Sequence, residues 1–161
     1  MCCNALFGEG VGVRLRLVVL IVVAFIALTL ALSSSAVAFE GDCRGIVTRV
    51  VDGDTIYIKC MSGFKAGEVF KVRFADVNAP ELGTPEGEIA KSALYNLVYG
   101  KTVVLDVDDV YVYDRYGRVV AVVYLELNET TLLNVNLWLV VNGYAEITDY
   151  PNEFNPYSWS L

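Results

Sequence analysis

The chain contains no histidine at any position. That absence excludes histidine general-base catalysis, zinc sites built on imidazole, and Ser-His-Asp nucleophilic chemistry. Positive charge is scarce as well: 12 lysines and arginines stand against 19 aspartates and glutamates, a formal charge of −7. No basic run occurs, so broad electrostatic capture of a polyanion has little to work with. Any nucleic-acid chemistry must then rest on a small, locally basic, metal-assisted site. Internal repeats, low-complexity tracts and long linkers are all missing. With 161 residues there is room for one domain and little else.

Residues 17–39 carry no charge, and this segment is the local source of a hydrophobic content of 55%. Arg14 and Arg16 precede an apolar run over residues 17–32 (LVVLIVVAFIALTLAL), and three serines and Ala36-Val37-Ala38 follow it. A basic flank, an apolar core and a small-x-small end are the layout of a secretory signal peptide, so residues 1–38 are expected to be removed after Ala38. The alternative is an uncleaved membrane anchor over residues 17–39, because roughly 20 apolar residues span a bilayer. With positive charge before the run and Glu40 and Asp42 after it, both readings leave the N-terminus inside. Residues 39–161 are therefore expected to be secreted or extracytoplasmic, with contact to a membrane only through an uncleaved anchor. Removal of Cys2 and Cys3 with the leader leaves Cys43 and Cys60, a candidate disulfide in an oxidising compartment.

Residues 45–51 and 55–60 are β-rich runs separated by Asp52-Gly53-Asp54, a strong hairpin signal. Residues 69–76 alternate as a third strand. Residues 86–99 place Ile89, Ala93, Leu94 and Leu97 on one helical face that stops at Gly100. Residues 102–113 and 119–127 read as strands around the turn Asp114-Arg115-Tyr116-Gly117-Arg118. Residues 132–141 read as a short helix ended by Asn142-Gly143, and residues 144–147 as extended chain. Short strands with one helix between the third and fourth predict a mainly β, α+β domain: a five-stranded barrel of the oligonucleotide/oligosaccharide-binding (OB) type. Cys43 and Cys60 fall at the open end of the first hairpin, within a residue or two of facing one another, near the separation a disulfide needs.

Three segments carry the chemistry: Val51-Asp52-Gly53-Asp54-Thr55, then Val72-Arg73-Phe74-Ala75-Asp76-Val77-Asn78-Ala79-Pro80-Glu81, then Asp114-Arg115-Tyr116-Gly117-Arg118. Each alone is an ordinary turn or strand. Together, in this order and spacing, they resemble the staphylococcal nuclease (thermonuclease-like) family, with its D-G-D-T hairpin, R-x₄-D-x-P-E segment and D-[KR]-Y-G-R turn. The likeness covers about residues 45–150, and Asn142-Gly143-Tyr144-Ala145 adds to it.

The resemblance implies a Ca²⁺-dependent phosphodiesterase acting on DNA or RNA, a monomer that leaves 3′-phosphate ends. Hard oxygen donors suit Ca²⁺, and the matching positions are Asp54, expected to leave the hairpin with its carboxylate free, together with Asn78 and the Ala79 carbonyl. Glu81 matches the general base. Arg73 and Arg118 match the phosphate-binding arginines, whose planar forks lysine does not mimic, and all four charged groups are expected to converge on one pocket. Arg115 and Tyr116 match positions near bound nucleotide. Asp52 and Asp76 are further acids beside the site, Asp52 tuning it or capping the turn.

Two departures stand out. Asn78 replaces the usual aspartate, which removes a charge from the metal ligands and predicts weaker Ca²⁺ binding. After Pro151 the family runs into a long helix, whereas Asn155-Pro156 here starts a truncated one, with Tyr150, Phe154 and Trp159 available for packing. Asn128-Glu129-Thr130 is an N-glycosylation sequon. Two competing functions keep the barrel without the chemistry: a non-catalytic nucleic-acid-binding module at the cell surface, and a tethered surface interaction protein. Retention of Arg73, Glu81 and Arg118 argues for the enzyme.

Overall fold

A computed structural model of the protein describes residues 41–161. The expected leader or anchor lies outside the described residues, and among them no helix is long and apolar enough to cross a membrane.

The first hairpin pairs β1 (Cys43–Val50) with β2 (Thr55–Gly63). β1 alternates strictly, with Cys43 and Val47 inward, until a bulge between Val47 and Arg49 breaks the alternation and turns Val50 into the core. β2 directs Ile56, Ile58 and Cys60 to the same interior and pairs with β3 (Val69–Phe74), which adds Phe70, Val72 and Phe74. On the other side of β1 lies β5 (Thr102–Val107), and beyond it the ten-residue β6 (Val119–Asn128). β6 closes the ring by running parallel to β3, with Val72 opposite Val119 and Phe74 opposite Ala121. Closure leaves none of the five barrel strands with two bare edges. The result is the expected five-stranded mixed barrel with two helices.

The helix α1 (Pro85–Val98) starts where Thr84 accepts a hydrogen bond from the Gly87 N–H at 3.1 Å, with Pro85 in the first turn and Glu86 and Glu88 complementing the helix dipole. Its buried stripe is Gly87, Ala90, Leu94 and Val98. The expected face is thus offset: Ile89 is 58% exposed. Close packing chose the smaller residues, since Gly87 lies against the Pro80 and Glu81 carbonyls and Ala90 against the Gly53 turn.

Three other expectations shift. The third strand ends at Phe74, because Asp76 takes a left-handed φ of 54°. The fourth ends at Val107; beyond it the chain bends, and Tyr113 makes only an isolated bridge to Val119. Residues 131–134 are not helical but form β7 (Thr131–Asn134) on β6, and the helix α2 runs only over Val135–Val141. Asn134 ends the strand and caps the helix by accepting from the Leu137 N–H. Inside α2, the fully buried Asn136 accepts from the Val123 N–H at 3.0 Å and donates to the Ala75 carbonyl at 2.8 Å, tying β6 to the end of β3. The two-residue strands β4 (Val77–Asn78) and β8 (Glu146–Ile147) pair next to it. At the C-terminal end Asn155 caps a single 3₁₀ turn (Pro156–Ser158), and Trp159 packs on the core, while Tyr150 stays 48% exposed.

Cys43 and Cys60 are bonded, with Cα atoms 6.1 Å apart and 17 positions of chain between them. Both are fully buried, so the bond sits within the core. Half-buried Asp106 on β5 works the other way: burial, then the charges of Asp42, Glu153 and Asp109, push its carboxyl up to about 6.

Both groups can be tested by unfolding. Replacing both Cys43 and Cys60 with alanine should lower unfolding stability by about 3 kcal/mol, read from urea melts against the oxidised parent. Asp106 binds its proton more tightly when folded, so the folded state loses stability as pH rises from about 4 to about 6. Asp106→Asn should remove that part of the pH dependence and raise the melting temperature above about pH 6. A parent and variant with parallel pH profiles would contradict it.

Candidate functional site

The Asp52-Gly53-Asp54 turn is set locally: the Val51 N–H donates to the Thr55 carbonyl at 2.9 Å, and Asp52 Oδ1 accepts from the Asp54 N–H at 3.1 Å. Asp52 thus caps the turn. Gly53 is required for a different reason, since a Cβ there would lie 2.5 Å from Ala79 Cβ and 2.9 Å from Ala90 Cβ. The turn, the loop after β4 and the helix α1 meet at this glycine. Gly87 does the same work one turn earlier in the helix, because a Cβ would collide with the Pro80 and Glu81 carbonyls.

The Asp54 carboxylate is not free. It is 7% exposed; Oδ1 accepts from the Thr55 hydroxyl at 3.0 Å, and Oδ2 accepts from the Ala79 N–H at 2.8 Å and lies 3.2 Å from Arg73 Nη2. Burial raises its pKa, opposed by the Arg73 charge and the Ala79 hydrogen bond, while Asp52 pushes upward again. Arg73 is equally committed. Nη1 donates to the Phe74 and Val77 carbonyls at 2.8 and 2.7 Å, and Nη2 donates to Asn78 Oδ1 at 3.2 Å. The guanidinium therefore folds the loop after β3 around itself and draws the Asp54 and Asn78 oxygens to one nitrogen.

Glu81 is exposed on the rim of the same cleft. Its carbonyl accepts from the Thr84 hydroxyl at 2.8 Å, which anchors its backbone to the start of α1. No hydrogen bond from any described residue reaches its carboxylate, which leaves that group to water.

Arg118 is held by the turn that precedes it. Its Nε donates to Asp114 Oδ2 at 2.6 Å, and the backbone N–H groups of Arg118 and Tyr116 both donate to Asp114 Oδ1 at 2.9 Å. Burial alone would raise the Asp114 pKa; the Arg118 and Tyr116 bonds outweigh it and hold the carboxyl below its ordinary range. Arg118 Nη1 reaches Thr55 Oγ1 at 3.5 Å, so Thr55 stands between the Asp54 carboxylate and this arginine. The guanidinium groups of Arg115 and Arg118 lie 4.8 and 5.3 Å from the centroid of the Tyr116 ring.

All of these groups line one open cleft of about 810 Å³: Asp52, Asp54, Arg73, Asn78, Ala79, Glu81, Arg115, Tyr116 and Arg118. The structure brings together every candidate site residue that the sequence singled out. It adds Tyr111, Tyr113, Tyr150 and Asn152, which sequence patterning places in a strand or a tail. The crowding of tyrosines at 111, 113 and 116 was the available signal for the first two. Asp76 and Asp108 are also at this end of the barrel and fully buried. Each has one carboxylate oxygen without a partner among the described residues, while Asp76 Oδ1 takes the Tyr150 N–H and the Asn152 amide. Burial is the main cause of a raised Asp76 pKa.

Among the described residues no three His, Cys, Asp or Glu side chains cluster as a metal site. The available donors are one carboxylate (Asp54), one amide oxygen (Asn78) and the Ala79 carbonyl. This all-oxygen, singly charged set fits a hard divalent ion bound weakly, such as Ca²⁺, and does not fit zinc.

Comparison with known proteins gives a consistent result. The family model for staphylococcal nuclease homologues matches residues 71–159, which include Arg73, Asn78, Ala79, Glu81, Arg115, Tyr116 and Arg118; Asp54 precedes the matched stretch. The chain is 37% identical over 108 residues to a micrococcal nuclease of Shigella flexneri, covering 65% of this chain and 58% of that protein. It is 39% identical over 117 residues to endonuclease YhcR of Bacillus subtilis, covering 66% of this chain but 9% of that protein. An uncharacterized endonuclease of Haemophilus influenzae is 38% identical over 103 residues, 64% of this chain and 50% of its own length. The chain thus spans less than two thirds of these relatives.

The depressed Asp114 pKa makes a stability prediction. Its contribution is present above the unfolded carboxylate pKa, about 3.9, and is lost as pH falls through the lower folded value. Asp114→Asn should therefore unfold at lower urea than the parent near pH 7, with the gap closing as pH falls below the unfolded carboxylate pKa of about 3.9. A gap that stays constant across that range would show that Asp114 acts through shape and not charge.

Proposed function

The chain belongs to the staphylococcal nuclease family, and we propose that it is an exported nuclease that hydrolyses phosphodiester bonds of DNA or RNA with Ca²⁺, leaving 3′-phosphate ends. The observation that carries this reading is the convergence of Asp54, Arg73, Glu81 and Arg118 on one cleft from separate elements of the fold. Names of the relatives support it, since those proteins are called nucleases and endonucleases. Export is supported by the leader-like layout of residues 1–38 and by the Cys43–Cys60 disulfide, a bond typical of oxidising compartments.

Hydrolysis of a phosphodiester needs a deprotonated water and positive charge for the pentacoordinate transition state. Glu81 is the one carboxylate of the proposed set that faces water without a fixed partner, which suits a general base. Arg118, pinned through Nε to Asp114, keeps its terminal nitrogens on the cleft side of Thr55 for equatorial phosphate oxygens. Arg73 supplies a second charge and shapes the loop that carries Asn78, Ala79 and Glu81. Asp54, Asn78 and the Ala79 carbonyl would hold Ca²⁺, which when bound supplies Lewis-acid neutralisation of the scissile phosphate.

The test is digestion of DNA and RNA by the purified protein across a Ca²⁺ titration and in excess chelator. Glu81→Gln should cost about 10²–10⁴ in rate, and Arg118→Lys should be severe because the fork is lost. Asn78→Asp should shift both cleavage and the Ca²⁺-induced rise in melting temperature to lower Ca²⁺ concentration. Undiminished cleavage by Glu81→Gln, or full parent activity in chelator, would rule the mechanism out. A parent that binds nucleic acid but never cuts would leave the binding-module reading in its place.

A further inference from the structure

Beside the cleft lies a second groove of about 540 Å³, lined by Tyr57, Lys71, Tyr116, Gly117 and Arg118. Tyr116 and Arg118 are common to both, so the two depressions share a wall. No acidic residue lines the second groove. The register of the barrel sets Tyr57 on β2 directly opposite Lys71 on β3 in this groove, and Arg49 on β1 directly opposite Tyr57 at its margin. Directly opposed residues project from the same face of a sheet, so the three form one row. Both cations sit against the central ring, Lys71 Nζ at 5.3 Å and Arg49 Cζ at 5.8 Å from the Tyr57 centroid.

The charges in this row are uncommitted. Arg44, Lys65, Arg73 and Arg118 are paired with carboxylates, whereas among the described residues Arg49, Lys59, Lys71, Lys91, Lys101 and Arg115 form no ion pair; of these six, Arg49 and Lys71 are the two that share the Tyr57 ring. In a chain of formal charge −7, a strip with Arg49 and Lys71 on the Tyr57 ring and Arg115 and Arg118 on the Tyr116 ring is a local reversal of sign. Such a strip attracts anions while the rest of the surface repels them.

We propose that the row Arg49–Tyr57–Lys71 is a subsite for a backbone phosphate of the same polynucleotide strand, next to the one held at Arg118. Tyr57 is its positioning residue: the ring holds the two cations in place by cation–π contact. This inference rests on the nuclease reading and names what that site grips beyond the scissile bond. It also explains how an acidic domain holds a polyanion: through a narrow strip, not a basic face.

The experiment compares the parent, the double variant Arg49→Ala/Lys71→Ala, and Tyr57→Leu on two probes: bis(p-nitrophenyl) phosphate, a diester too small to span both grooves, and a fluorescent single-stranded oligonucleotide of about ten nucleotides. For the double variant, KM on the oligonucleotide should rise roughly tenfold, with kcat and small-diester turnover unchanged. Oligonucleotide affinity, measured by anisotropy in chelator against NaCl, should show a salt slope flatter by about 0.7 for each phosphate that is no longer neutralised. Tyr57→Leu should raise KM while leaving the salt slope closer to the parent's, because the cations remain but are no longer ordered. An unchanged salt slope in the double variant would overturn the subsite, as would equal losses on both probes. The anisotropy arm needs no cleavage, so a parent that binds with the expected slope but cuts nothing would refute the nuclease reading and keep the strip.

Discussion

The site depends on one buried carboxylate. Asp54 sits at 7% exposure, where an unpaired charge would be strongly unfavourable. Its partners come from two other places: the Arg73 guanidinium on β3 and the Ala79 N–H in the loop beyond β4. Removing one member of such a buried pair typically costs about 3–5 kcal/mol because the other is left uncompensated. The hairpin, the third strand and the loop that carries Ala79 are consequently tied to one another through this one carboxylate. Arg73 extends the same logic, since its remaining donors satisfy the Phe74 and Val77 carbonyls, which would otherwise be orphaned where the strand ends.

Behind this charged knot stands a steric one. Gly53 and Gly87 let the turn and the loop lie directly on α1, with Ala79 and Ala90 as the touching surfaces. The helix is a backing plate: its cap residue Thr84 holds the Glu81 carbonyl, so the candidate base is exposed in its side chain and rigid in its main chain. A group meant to act on water needs that combination of solvent access and a fixed origin.

Much of this was legible in the sequence because it is written in local signals. The Asp-Gly turn, the alternation of the strands, and the Asn155-Pro156 turn all depend on nearest neighbours. The three motifs named the site residues before any geometry existed. What sequence did not reveal depends on partners distant in the chain. Ile89 looks like a core residue by helical spacing, yet the buried stripe runs through Gly87, Ala90, Leu94 and Val98, where the loop before the helix and the Gly53 turn come closest. Residues 132–134 look like the start of a helix, yet the edge of β6 recruits them, with Thr131, as a strand. Asp54 looks like a free ligand, yet Ala79, 25 positions away, claims one of its oxygens. Tyr111 and Tyr113 enter the cleft because the chain bends after Val107, which no local pattern announced.

The parallel seam between β3 and β6 has a kinetic meaning. Val72 and Val119 face one another across this seam, although all of α1 and β5 lie between them in the chain. Pairings of such separation form late in folding, because loop-closure entropy must be overcome first. Arg73 lies in that seam and Arg118 at its edge. Until the barrel shuts, the two arginines belong to unconnected segments and no phosphate can meet both. The seam is therefore also a safety catch: a chain still extended carries every residue of the cleft and none of its geometry.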